Sequence, residues 1–170
     1  MAVADLGREA VSAMKPDWKE QFAEENNLIR ERMATASFDE IRRAFYELER
    51  KMAALVDDEP SRIEVSRRAA KWLLYAAIDM KRPFEECETL VEDVVRLGFA
   101  SPQERVITVA VFARSCLLSG RNEDGYRHFL SAMTDLEKVP EVIASAPPEL
   151  VEGYRRLLAQ LAPAQLNDRQ

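Results

Sequence analysis

One imidazole, His128, and two thiols, Cys87 and Cys116, are the side chains of this sequence best suited to nucleophilic or metal chemistry. A Cys–His pair or a Ser–His–Asp triad has to use His128, because the chain holds no second histidine to act as base. Cys116 stands twelve residues before it across a turn, and no metal or redox spacing links Cys87 with Cys116. A metal centre around His128 needs carboxylates or thiolates, and none stand at ligand spacing along the chain. The adjacent acids Glu24-Glu25, Asp57-Asp58-Glu59, Glu85-Glu86 and Glu92-Asp93 point about 100° apart on a helix, which suits solvated surface better than one reaction centre. There is no glycine-rich phosphate loop, no dinucleotide fingerprint and no Glu-x-x-His pair of the di-iron bundles. These residues predict no catalytic centre, no metal and no cofactor.

Charge is the stronger signal. Residues 1–60 carry 9 basic and 14 acidic side chains, residues 61–82 carry 6 and 2, and residues 83–101 carry 1 and 5, so a basic helix sits between acidic ones. Arg62, Arg67, Arg68 and Lys71 fall within three turns of that helix, and Arg67 and Lys71 share a face at i, i+4. Lining a groove, that face would hold an acidic peptide by charge-assisted bonds, in competition with internal partners such as Glu64. Trp18, Tyr46, Tyr126 and Tyr154 lie at the edges of their apolar stripes, where an amphipathic ring serves either a partner or the rim of a core. The candidate partner-binding residues are therefore Arg67, Arg68, Lys71, Tyr126 and Trp18.

Helices must position these groups. The spacing predicts a short helix over 2–14 ended by Lys15-Pro16, and a second from Pro16 to about Ala34 with the stripe Trp18, Phe22, Leu28, Ile29 and Met33. Ser37 and Glu40 make a capping box before Ile41, Phe45, Leu48 and Met52, and Asp57-Asp58-Glu59-Pro60 closes that helix. A fourth, near Ser61 to Met80, is apolar almost all round in its second half, which places it centrally. Pro83 starts a fifth, which Gly98 caps. Ser101-Pro102-Gln103-Glu104 makes a capping box for a sixth that ends at Gly120, Asn122 can cap a seventh, and Pro148 opens the last. The tail 163–170 is polar enough to fray. No segment alternates with period two between hairpin turns, so the expectation is one all-α domain over 1–170, with seven or eight antiparallel helices joined by short connections.

An internal echo refines this picture. Leu74, Ile78, Arg82, Cys87, Val91, Val94 and Pro102 recur 38 residues on as Phe112, Cys116, Gly120, Gly125, Phe129, Ala132 and Pro140. One helical hairpin cannot bury its apolar face alone, and a second copy covers it. The run from Ala110 to Pro140 resembles a tetratricopeptide repeat: Ala113 matches the small residue of the first helix, Gly120 the turn glycine, Gly125 the small residue where the helices touch, and Phe129 and Ala132 the second helix's apolar pair. The family's opening tryptophan is replaced by Lys71 and Val109. The resemblance spans about residues 60–140 and implies hairpins stacked as a short solenoid; a compact helical bundle is the alternative.

At 170 residues and a formal charge of −6, the composition argues against a phosphate-backbone binder, which needs surplus Lys and Arg, and against disorder. With no secretory leader, no run of 18 apolar residues and no lipidation sequence, a cytoplasmic protein that binds neither nucleic acid nor membrane is expected. The reading is a non-enzymatic protein-interaction module, an adaptor, chaperone or inhibitor of immunity type, holding another protein or peptide in a helical groove. The alternatives are a small-ligand binder or enzyme with a pocket near Trp72, Tyr75 and Cys116, and a structural homo-oligomer.

Overall fold

The computed structural model describes residues 17–163, and among them every regular element is a helix. They are α1 Trp18–Arg32, α2 Phe38–Ala53, α3 Glu59–Asp79, α4 Phe84–Leu97, α5 Pro102–Leu118, α6 Asn122–Glu137, α7 Pro140–Ser145 and α8 Pro148–Leu161. Connections of two to five residues make successive helices antiparallel neighbours. The helix expected over 2–14 and all but the first residue of the expected tail lie outside the described residues.

Side-chain caps set four of the eight starts among the described residues. Ser37 accepts the Glu40 N–H (3.3 Å) while the Glu40 carboxylate accepts the Ser37 N–H (2.8 Å), the complete capping box. Asp58 accepts the Ser61 N–H at 2.8 Å, so the acidic run that follows α2 also opens α3. Two expectations change. Ser101 accepts the Glu104 N–H (3.1 Å), but the Glu104 side chain reaches past Ser101 to the Ala100 N–H (3.0 Å). Asn122 is the first helical residue of α6 rather than its cap; Arg121 precedes the helix and caps nothing through its side chain. In α1 the apolar stripe slips as well, for Leu28 is exposed and Asn26 is buried in its place.

Two clusters of buried side chains form the core, and α5 belongs to both. Phe112 and Cys116 join the cluster built by α1 to α4, around Phe22, Phe45, Leu74 and Val91. Val106, Val109, Ala110 and Ala113 join Phe129, Met133, Leu157 and Leu161 in the cluster of α5, α6 and α8. A helix serving two cores must be apolar on most of its circumference, which is the pattern read in its sequence. Helix α8 lies across the α5–α6 pair, and α7 buries no residue completely.

The echo is a packing equivalence with a slip in it. In α4 and α6 the offset of 38 holds: the helices start at Phe84 and Asn122, and Cys87/Gly125, Val91/Phe129 and Val94/Ala132 are buried pair by pair. In α3 and α5 the offset is 39. These helices end at Asp79 and Leu118, the left-handed residues that follow are Lys81 (φ 54) and Gly120 (φ 73), and Leu73/Phe112, Leu74/Ala113 and Ala77/Cys116 are the buried pairs. Each turn is closed by the same bond, from the Arg82 N–H to Ala77 O (2.9 Å) and from the Arg121 N–H to Cys116 O (2.8 Å). The first turn holds one extra residue, Pro83, which absorbs the difference. Lys81, not Arg82, therefore stands where the second hairpin has its turn glycine.

Candidate functional site

The basic face of α3 is occupied from within the chain. Arg67 donates through Nε to the Leu97 carbonyl at the end of α4 (2.9 Å). Arg68 donates to Glu64 (2.7 Å) and lies 5.2 Å over the Trp18 ring, so this cation and this aromatic close the α1–α3 seam. Lys71 donates to Glu104 of α5 at 2.9 Å. Burial pushes the Glu104 carboxyl up, but Lys71, the Ala100 N–H and the Arg67 charge outweigh it and hold the group below its ordinary value. Tyr126 is half-buried against the α5–α6–α8 core. These five residues do not converge on one surface groove. Arg67 and Lys71 fasten the joints of α4 and α5, so a variant lacking both loosens those joints as well as removing two charges.

A groove does run between α2 and α4, across α3. Two hollows of about 390 and 190 Å³ share Tyr46, Leu90 and Asp93 and so are continuous. Ala69, Ala70 and Leu73 of α3 lie beneath it. Its α4 wall runs from Glu85 to Leu97, about 18 Å at the helical rise, or about three turns. The local pattern explains the walls. Phe38, Ile41, Phe45, Leu48 and Met52 point α2 into the core, and Tyr46, one step round from Phe45, is left 55% exposed at the mouth. Cys87, Val91 and Val94 do the same for α4, leaving Leu90 half-buried on the groove side.

Its charged rim is acidic. Glu49, Glu85, Glu86 and Asp93 line it against Arg42 and Arg96. Glu86 takes a bidentate pair from Arg82 (2.9 and 2.8 Å), and these bonds outweigh its desolvation, so its carboxyl titrates below the ordinary range. Arg96 pairs with Asp93, and Glu49 accepts from Ser66 (2.6 Å). A second hollow, of about 310 Å³ and more apolar, opens among α5, α7 and α8 at Val106, Ile107, Val142, Ile143, Leu150 and Tyr154. Trp72, Tyr75 and Cys116 line neither hollow. Trp72 and Tyr75 meet edge to face at 5.4 Å, the Tyr75 hydroxyl lies 3.4 Å from Thr108 Oγ1, and Cys116 is core.

The thiols are poor nucleophiles. Burial, then the nearby charges of Asp124 and Glu88, push the Cys116 thiol up to about 12, and burial raises Cys87 too. The adjacent acids diverge: Glu85 turns to Arg121 (3.3 Å) while Glu86 turns to Arg82. His128 is different from its sequence surroundings. The fold brings Glu88 and Glu92 of α4 to it from α6, with donor atoms of all three residues within 4.8 Å of one another, so carboxylates do reach ligand spacing around His128. Sequence reasoning missed this trio because Glu88 and Glu92 lie 40 and 36 residues away along the chain. Their i, i+4 spacing on α4, together with the 38-residue register of α4 against α6, was the available signal.

Among the described residues no helix is long and apolar enough to cross a membrane. Compared with protein-family models, curated proteins and solved structures, the chain matches none of them, so its function has to be read from its own geometry.

Proposed function

We propose that this chain is a non-enzymatic protein-interaction module of adaptor, chaperone or inhibitor type, and that it holds one polypeptide segment in the groove between α2 and α4. The observation that carries this reading is Tyr46, a half-exposed aromatic set opposite Leu90 above a floor containing two alanines. Small floor residues let a guest backbone come close, and an aromatic anchor at the mouth supplies contact area at low entropic cost. About three turns of wall suit an amphipathic helix whose apolar side chains recur at i, i+3 and i+7. Four acidic against two basic residues on the rim favour a guest with flanking Lys or Arg, in keeping with the net charge of −6. The proposed partner is thus basic rather than acidic, because Arg67, Arg68 and Lys71 are spent on internal bonds. As to family, we propose that α3 to α6 form two tetratricopeptide-like units; the close helix approach at Gly125 supports that description.

The test is affinity capture from the native cell with the chain and with its Tyr46→Arg variant. An exposed side chain can be exchanged with little effect on stability, within about 0.5 kcal/mol. A polypeptide retained by the native chain and lost, or weakened at least tenfold, in the variant is the expected result. An identical set of partners for both proteins contradicts the groove. The small-ligand reading has one observation of its own, the apolar hollow among α5, α7 and α8, whose volume lies at the lower end for ligand sites.

A further inference from the structure

The seam between α4 and the start of α6 carries a run of charged contacts. Arg121 donates to Glu85 (3.3 Å) and lies 4.4 Å over the Phe84 ring, and Arg127 donates to Glu88 (2.8 Å). Beside the second pair lies the His128 ring, edge-on to Phe112 at 5.3 Å and only 14% exposed. Its Nε2 is shielded from solvent and has no hydrogen-bond partner, which costs about 1–3 kcal/mol for a buried polar atom. That nitrogen faces Glu88 Oε1 at 3.9 Å, too far for a hydrogen bond. Two donors on one tetrahedral ion stand about 3.3–3.6 Å apart, since metal–N and metal–O bonds run about 2.0–2.2 Å, so a few tenths of an ångström of side-chain movement brings this pair to ligand distance.

We propose that Glu88, Glu92 and His128 form a zinc site that staples α4 to α6. Glu88 and Glu92 are one turn apart on the same face of α4, and the exposed Glu92 side chain is free to rotate toward the ion. Two carboxylates neutralise the ion's double charge, and the imidazole selects a transition ion over calcium or magnesium. The unpartnered ring nitrogen is the atom an imidazole offers to such an ion. The resident competitor is Arg127, which is 63% exposed and has Asp124 at 3.6 Å as a second acceptor to move to. Water completes the tetrahedron. The ion would tie the core of α1–α4 to that of α5, α6 and α8 through their outer helices, and it would fix α4, one wall of the groove.

The experiment is calorimetric titration of the full chain with zinc chloride at micromolar protein, paired with thermal melting. One saturable equivalent and a melting temperature that climbs with free zinc are expected, because an ion that binds only the folded state stabilises it by mass action. His128→Gln and Glu92→Gln should each weaken binding at least tenfold. Glu92 is exposed, so its variant keeps the fold even if the histidine variant does not. Glu123→Gln, an exposed acid on α6 outside the trio, should bind as the native chain does. No saturable binding overturns the proposal. So does binding that survives both trio variants, or binding abolished by Cys116→Ser with the trio intact.

Discussion

The hairpins α3–α4 and α5–α6 share a skeleton of buried positions and differ at the point where their helices cross. In the second, α6 crosses α5 at Gly125, where an added Cβ would lie 2.8 Å from the Cys116 Cβ and 3.0 Å from Leu161 Cδ2. In the first, Cys87 occupies the equivalent place, so a side chain rather than bare backbone fills the crossing. The residue after Gly125 in the pattern differs in the opposite direction, since Phe129 stands where the first hairpin has Val91. Bulk removed from the crossing is thus restored one turn on, and core volume is kept while the helix separation changes. The neighbours differ accordingly. The close second pair carries α8 across it, whereas α4 keeps one flank open toward α2, and that flank is the groove.

Exchanging residues between equivalent positions sharpens this comparison. Phe129→Ala should cost about 4 kcal/mol in urea unfolding, against about 2 for Val91→Ala, because both side chains are fully buried and the larger leaves the larger cavity. Equal losses would mean that the two positions are not packed alike. Gly125→Ala comes next. Alanine's helix propensity favours it by about 1 kcal/mol, but a contact of 2.8 Å with the Cys116 Cβ, which cannot rotate away, should outweigh this and give a net loss of about 2 kcal/mol. Cys87→Ala, which removes only a sulfur, should cost about 1.

Smaller effects probe the turns and the joints. Lys81→Gly should stabilise by about 1 kcal/mol, since the lysine pays for a left-handed backbone that glycine adopts freely. Gly120→Ala should lose about as much, through its φ of 73° alone, because no atom lies within 4 Å of the added Cβ. The smallest change is pH-dependent. Glu104 titrates below its ordinary 4.5 when folded, so its contribution is present above that value and is lost as the pH falls through the lower folded pKa. Glu104→Gln should lower stability at pH 7 by under about 1 kcal/mol and flatten the fall below pH 4.5, read from urea melts across pH 3–7. An unchanged slope would show that Lys71 does not carry the α3–α5 joint.

Much of the fold is legible without coordinates, because helix starts and core stripes are local chemistry. Ser37 with Glu40, Asp58, Gly98 and Gly120 all mark real helix ends, and the broad apolar faces of α3 and α5 do place them centrally. The failures are equally local in cause. Asn122 looked like a cap, but the chain leaves Gly120 and Arg121 already turning, so the helix takes Asn122 as its first residue. The positive φ of Lys81 has no sequence signal, because a lysine carries no mark of it. The candidate site was less readable. A basic stripe in the sequence does not say which cations are consumed by Glu64, Glu104 and the Leu97 carbonyl, and the trio around His128 forms only when α4 meets α6. Tyr46 was visible as an edge aromatic; that it faces Leu90 depends on how α2 and α4 flank α3.

The most direct test of the groove is site-specific photocrosslinking in the native cell. A photoreactive phenylalanine analogue would replace Tyr46 in one protein and Leu118, which is 89% exposed and lines no part of the groove, in another. A discrete adduct of one polypeptide at position 46, absent at position 118, is the predicted result. The same adducts at both positions, or none at position 46, would contradict it.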